Sequence, residues 1–303
     1  MNFSPIALFV YNRLVHTQKT VEALKKNSEA QSSVLYIFSD APKSSIDENA
    51  VSQVRNYLKK ISGFKEIFII ERNENYGLAK SIIDGVTDLC NRFGRVIVLE
   101  DDLETSAFFL KFMNDSLEFF KNENQIMHVS GCRYPVESFE STSTFFLTVP
   151  LCWGWATWQR AWCSFDKNIS IMKEFDRQMI SEFDFDDSYG YWSQLELNKS
   201  GKINSWFVFW YANIFLQRKL SLFPSKSLVK NIGHDGTGVH CGGTSDYDVV
   251  LSLDPIVITP IPIKLSNDAY LAHVKYFRKI NSHKLIERIL RKINVIFRLN
   301  SND

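Results

Sequence analysis

Arg95-Val-Ile-Val-Leu-Glu-Asp-Asp-Leu103 is the stretch whose reading decides the fold. Val96, Ile97, Val98 and Leu99 are apolar and mostly β-branched, the composition of a strand buried on both faces. The run passes without a turn residue into Glu100, Asp101 and Asp102. Three adjacent carboxylates repel one another, and holding them at the end of a buried strand is costly unless a cation sits there. The carboxyl ends of parallel strands are where open α/β sheets bind ligands. A hard divalent cation shared between one or two carboxylates and substrate phosphates is the usual resolution. A solvated acidic turn is the competing reading, and the rest of the chain decides between them.

Upstream, strand and helix signals alternate. Ile6–Val10 reads as a short buried strand ending at Tyr11-Asn12-Arg13, and a helix follows from His16 to Lys26. Val34–Phe38 is the second strand and ends at Ser39-Asp40. Ile46, Val51, Val54, Leu58 and Ile61 then recur at helical spacing, closed by Gly63. Ile67–Ile70 is the third strand, followed by a helix with Leu78, Ile82, Val86, Leu89 and Phe93 on one face. Such alternation implies βαβ units and a mostly parallel sheet flanked by helices.

Downstream the pattern is less regular. Ala107–Lys121 reads as a helix with Phe108, Phe112 and Phe119 inward, and Met127–Ser130 and Phe145–Val149 as strands. Trp153, Trp155, Trp158 and Trp162 crowd one segment that is helical towards its end. An acidic, aromatic loop over 181–189 precedes two helices, Tyr191–Asn198 and Trp206–Arg218. Gly233–Gly243 is a glycine-rich loop carrying His234, Asp235 and His240. From Asp268 to Leu299 a basic helix or helix pair is expected, with Leu285, Ile289, Ile293 and Ile296 on one face.

Composition narrows the function. With 303 residues and 45% hydrophobic content the chain can bury a large core, and a net charge of +1 gives no field for nucleic acid. Five cysteines without a CxxC pair argue for reduced thiols in a cytoplasmic setting. No basic leader and no apolar run of membrane length is present. Neither GxGxxG nor GxxxxGK[ST] occurs at the strand ends, which removes the commonest dinucleotide and phosphate-loop folds.

What stands there instead is Tyr11-Asn12-Arg13, Ser39-Asp40, Asn75 with Gly77-Leu-Ala-Lys-Ser81, and Glu100-Asp101-Asp102. In that order the set resembles the GT-A nucleotide-sugar glycosyltransferases, particularly the bacterial enzymes of glycosyltransferase family 2. The Glu-Asp-Asp-Leu form is similar to that of the N-acetylglucosaminyltransferase that starts complex N-glycans. The resemblance implies a GT-A-like, Rossmann-type sheet: 1–105 the nucleotide-sugar-binding half, 106–265 the acceptor-binding and catalytic half, 266–303 a basic helical segment.

It also implies roles. Tyr11, Arg13, Asp40, Asn75 and Lys80 would line the nucleotide pocket, with Asp40 meeting the base. Asp102, with Asp101 in support, would hold Mn²⁺ or Mg²⁺, and Glu100 would reach the ribose or donor sugar. His240, in preference to His234, would complete the metal site from a loop able to order over the donor. Trp153, Trp155 and Trp158 would form an acceptor platform, whereas Trp162, Trp206 and Trp210 would pack. Inverting transfer needs a general base. The similar N-acetylglucosaminyltransferase carries it in a Trp-Asp-Asp-Trp segment, whose nearest counterpart here, Ser205–Trp210, lacks a carboxylate. Asp187, Glu196 and Asp235 remain, with Asp187 preferred.

The donor implied is a nucleoside-diphosphate sugar, a UDP-sugar before others, and the acceptor a glycan or polyprenyl-linked glycan. The basic C-terminal segment would suit the inner face of the plasma membrane, or else dock its apolar stripe on the domain. Two other classes compete: an inactive carbohydrate-binding or scaffold protein, and a sugar nucleotidyltransferase, whose Gly-rich basic N-terminal loop is absent.

Overall fold

The computed structural model describes residues 3–137, 139, 143–236 and 244–282. The first half follows the expected alternation: β1 (Ile6–Val10), α1 (Leu14–Lys25), β2 (Val34–Ser39), α2 (Glu48–Leu58), β3 (Glu66–Glu71), α3 (Gly77–Phe93) and β4 (Arg95–Glu100). The second half runs β5 (Leu103–Thr105), α4 (Phe109–Phe119), β6 (Ile126–Ser130), β7 (Thr144–Leu147), β8 (Trp155–Trp158) and α5 (Gln159–Trp162). It continues with α6 (Arg177–Phe183), α7 (Tyr191–Lys199), α8 (Phe207–Leu216), β9 (Leu220–Pro224) and β10 (Val229–Asn231). A last helix, α9, covers 267–282.

Among the described residues the main sheet is mixed and mostly parallel, in the order β3-β2-β1-β4-β8-β6-β9-β7. β1 pairs in parallel with both β2 and β4, and β2 with β3. β8 runs antiparallel between β4 and β6, and β7 antiparallel to β9. The two halves therefore share one sheet. Strand order reverses at β1, so the carboxyl ends of β1 and β4 flank a topological switch point.

Successive strand residues face opposite sides, and the two sides are covered by different helices. Ile6, Leu8, Ile97 and Leu99 pack with Val21 and Leu24 of α1, Val54 and Leu58 of α2 and Phe112 of α4. Ala7, Phe9, Val96 and Val98 pack with Ile82, Val86 and Leu89 of α3 and Trp210 and Ile214 of α8. Gly85 permits that second contact, since a Cβ there would lie 2.8 Å from the Phe9 ring.

Several expectations are corrected. The Trp-rich segment is helical at its end, as expected (α5), but it opens with a strand that was not expected, because β8 fills the gap between β4 and β6. Leu220–Pro224 is a buried strand where none was expected. Ile46, Leu78, Phe93 and Phe119 are exposed, and the inner face of α4 is formed by Phe109, Leu110, Phe112, Met113 and Leu117 instead. Within α9, Ala269, Val274, Phe277 and Ile280 turn inward, so this part docks on the domain. The stripe from Leu285 to Ile296 lies outside the described residues. Among those described, no helix is long and apolar enough to cross a membrane.

Candidate active site

β1 and β4 end side by side, with Phe9 opposite Glu100 in the register. Thr20, buried on α1, braces the turn beyond: its Oγ1 donates to the Asp101 carbonyl at 2.9 Å and accepts from Leu103 N at 3.1 Å. Tyr11 N donates to Asp101 Oδ2 at 3.2 Å, tying the acidic motif to the end of β1. After the turn β5 pairs antiparallel with β10, and Ile232 N donates to the Asp102 carbonyl at 2.8 Å. That pairing lays Gly233-His234-Asp235 against the acidic motif. Gly233 fits because it has no side chain: a Cβ would stand 2.0 Å from Asp102 Oδ2.

The charge is imbalanced. Burial, then the Asp102 and Asp101 charges, hold the Glu100 carboxyl well above the usual carboxylate range. Burial and Asp102 likewise push Asp101 up to about 7, against the relief that Tyr11 N and Arg13 provide. Arg13 meets Asp102 Oδ2 at 2.9 Å and, through its other terminal nitrogen, Asp235 Oδ1 at 3.3 Å. His16 Nε2 lies 2.8 Å from that same Arg13 nitrogen and 3.0 Å from Asp235 Oδ2.

On the β2–β3 side, the Tyr11 hydroxyl accepts from Lys43 N at 2.9 Å, and burial raises its pKa. Asp40 is engaged by the chain itself. Its carboxylate accepts from Ala41 N, Tyr76 N, Gly77 N and Asn75 Nδ2 at 2.8–3.2 Å. A carboxylate offers about four lone-pair positions, so Asp40 here braces the start of α3, and Asn75 bridges it to the Ala41 carbonyl at 2.7 Å. Lys80 points outward, paired with Asp84 and set over the Tyr76 ring. Two residues went unread in the sequence. Arg72, just past β3, lies over the Phe38 and Tyr76 rings with its Nε buried and without a hydrogen-bond partner. Arg55 on α2 donates to the carbonyls of Ser39, Asp40 and Arg72 at 2.8–3.5 Å, fastening the ends of β2 and β3 together. A cation within three residues of a strand end, at Arg13 and again at Arg72, was the available signal.

On the other side, Trp153 is partly exposed and sits edge-on to His234 and Tyr247, with ring centroids 5.3 and 5.7 Å apart. Both ring nitrogens of His234 are shielded and lack a hydrogen-bond partner. Burial lowers its pKa, partly offset by Asp102 and Asp248. His240 lies outside the described residues. Trp155 and Trp158 are not available as a platform. Trp155 is fully buried, stacked on His128 and Trp206, and Trp158 is buried with Nε1 donating to the Leu117 carbonyl. Trp162, Trp206 and Trp210 pack in the core as expected. Asp187 is exposed on a left-handed turn formed with Phe185 and Asp186, accepting from Ser181 Oγ at 2.8 Å. Glu196 is exposed on α7. Of the three base candidates, Asp235 alone shares a cation with the acidic motif.

Among the described residues no three His, Cys, Asp or Glu side chains are grouped to hold a metal by themselves. The donors at hand, crowded carboxylates beside the shielded, unpartnered imidazole of His234, suit a hard cation held jointly with a bound diphosphate.

No family model matches the chain, and no curated protein matches it. Solved structures similar to it include the mannosyltransferase PcManGT from Pyrobaculum calidifontis in complex with GDP-Man and Mn²⁺, at 9% identity and TM-score 0.39, covering 71% of this chain and 70% of that one. S. aureus TarS is similar at 11% identity and TM-score 0.40 over 76% of this chain, which spans 37% of its length.

Proposed function

We propose that the chain is a metal-dependent glycosyltransferase, moving a sugar with inversion from a nucleoside diphosphate, a UDP-sugar first, to a glycan or lipid-linked glycan acceptor in surface polysaccharide synthesis. The observation that carries this reading is the Glu100-Asp101-Asp102 cluster at the switch point of the sheet, between the ends of β1 and β4 and beneath the 233–235 segment. Mn²⁺ or Mg²⁺ bound there would neutralise charge on the departing diphosphate. Asp102 with Asp101 would hold it, with the His234 imidazole, which feels the Asp102 charge, at hand. Glu100 would reach the ribose or the donor sugar. Tyr11 and Arg72 would wall the nucleotide, and Asp40 and Asn75 would fix the wall by bracing α3. Trp153 and Tyr247 would stack the acceptor ring. Asp187, Glu196 and Asp235 stand as bases to be separated by the single-turnover rates of their amide variants. A polyprenyl-linked acceptor would bring the chain to the inner face of the plasma membrane, where the basic segment from 266 onward would meet anionic lipid.

A second reading, a carbohydrate-binding protein without turnover, is favoured by the Trp206–Trp210 segment, which is buried along most of its length and carries no carboxylate. Calorimetric titration of UDP and GDP, with Mn²⁺ and with EDTA, on wild type and Asp102→Ala, tests the site. Metal-dependent binding lost in the variant is expected. Binding without donor-dependent release of nucleoside diphosphate would favour the second reading, and no binding of either nucleotide under any condition would remove the main support for a transferase.

A further inference from the structure

Arg13 is placed where an incoming divalent cation must go. Its guanidinium lies 2.9 Å from Asp102 Oδ2, and Gly233 closes over the same oxygen. Two cations at one carboxylate oxygen repel each other, so a metal ion bound through Asp102 Oδ2 competes with Arg13 for it. The structure contains somewhere for it to go. Asp235 already holds the second arm of the guanidinium at 3.3 Å, and His16 stands beside both. His16 Nε2 lies within hydrogen-bonding distance of a donor, the Arg13 nitrogen, and of an acceptor, Asp235 Oδ2. One ring nitrogen carries either a proton or a lone pair and cannot serve both at once. With a lone pair it accepts from Arg13 and faces the Asp235 oxygen unfavourably. With a proton it serves Asp235 and crowds Arg13. The network therefore has two arrangements, set by whether His16 Nε2 carries the proton.

We propose that Arg13 is a built-in counter-ion that competes with the divalent cation for Asp102, and that Asp235 and His16 are positioning residues that receive it when the cation binds. This rests on the transferase reading, because it assumes a cation at Asp102. It adds that the competitor belongs to the chain, and that the 233–235 segment is tied to the outcome through Asp235. A guanidinium moved off Asp102 stays within reach of a diphosphate bound beside the metal, so the same residue can oppose metal alone and favour metal with nucleotide.

The test is calorimetric titration of Mn²⁺ alone into the full chain, for wild type, Arg13→Gln, Asp235→Asn and the double variant, each checked for an unchanged melting profile. Arg13→Gln should bind Mn²⁺ roughly tenfold more tightly than wild type, and Asp235→Asn several-fold more weakly. In the Arg13→Gln background the Asp235 substitution should lose most of its effect, because there is no guanidinium left to receive. Tighter Mn²⁺ binding by His16→Ala would overturn the proposal, as would Arg13→Gln binding Mn²⁺ no better than wild type. An equal effect of Asp235→Asn in both backgrounds would reduce Asp235 to a distant negative charge and overturn it as well. Arg13→Lys keeps the charge without the two-armed reach, and should bind Mn²⁺ within about threefold of wild type. If wild type binds UDP or GDP with Mn²⁺ while these comparisons fail, the counter-ion proposal falls alone. If no chain binds metal or nucleotide, the transferase reading falls with it.

Discussion

Gly233→Ala isolates the closure over the acidic motif. The added Cβ would lie 2.0 Å from Asp102 Oδ2, 2.8 Å from its Cγ and 3.1 Å from the Arg13 terminal nitrogen that pairs with it. Carbon and oxygen do not approach within 3 Å without bonding, so the carboxylate or the 233–235 segment must retreat by about 1 Å or more. Overpacking of this kind costs about 1–3 kcal/mol. The Arg13–Asp102 pair, whose side chains are 15% and 17% exposed, adds up to about 1 kcal/mol if it breaks. Melting should therefore fall by roughly 2–6 °C, while the proposed metal-dependent nucleotide binding through Asp102 should weaken at least tenfold, a loss of about 1.4 kcal/mol. Scanning fluorimetry and calorimetric titration of UDP and GDP with Mn²⁺ read the two effects separately. Wild-type affinity with an unchanged melting temperature would refute the placement of Gly233 over Asp102.

Asp101 titrates near 7 in the fold against 3.8 for an ordinary aspartate. Between those values the folded chain holds a proton the unfolded chain has released, so stability falls as pH rises through this window, by roughly 4 kcal/mol in all, and the loss is complete above about pH 7. Melting temperature should decline from pH 4 to 7, Asp101→Asn should flatten that decline, and an unaltered profile in the variant would exclude Asp101 as its source. Trp155→Ala should cost about 3–5 kcal/mol by emptying a core position, whereas Trp153→Ala should leave melting nearly unchanged and raise the KM for acceptor. The reverse pattern would return Trp155 to the platform. His234→Ala should weaken Mn²⁺-dependent nucleotide binding about tenfold with only a small loss of thermal stability, since neither nitrogen has a hydrogen bond to lose and the ring contacts only Trp153 and Tyr247 among the described aromatic rings. A drop in stability without a drop in binding would make His234 a packing residue.

The strands of the first half could be read because each is a short apolar run ended by polar residues, a signal local to the chain. The strand that opens the Trp-rich segment could not, because the helical spacing of the segment's end runs on from it and its neighbours supply the answer. Residues three apart on a strand face opposite sides, and Trp155 indeed joins the α3 side of the sheet while Trp158 joins the α1 side. Only the gap between β4 and β6, created by distant sequence, makes that strand necessary. The same limit governs the site. Glu100-Asp101-Asp102 announces itself by composition. Whether Asp40 meets a ligand or a helix start depends on Asn75, Tyr76 and Gly77, more than 30 residues away, and on how β2 and β3 are aligned. Arg55 was invisible for the same reason: its three carbonyl partners sit on the ends of two strands that the sheet brings together.

What makes the acidic cluster more than a solvated turn is how its charge is met. A turn in water would leave all three carboxylates ionised and unsupported. Here Thr20 and Tyr11 N hold the turn from two directions, which fixes the carboxylates together at the cost of their mutual repulsion. The fold then relieves the repulsion twice: burial and mutual charge raise the pKa of Glu100 and Asp101 and favour their protonated forms, and Arg13 lends its charge to Asp102. Both remedies can be exchanged for something else, since protons leave when a stronger cation arrives and Arg13 has Asp235 to turn to. A cluster built only for stability would be better served by permanent partners or by apolar side chains. Its position at the switch point of the sheet, beside the unpartnered imidazole of His234, is where an exchangeable charge serves ligand binding.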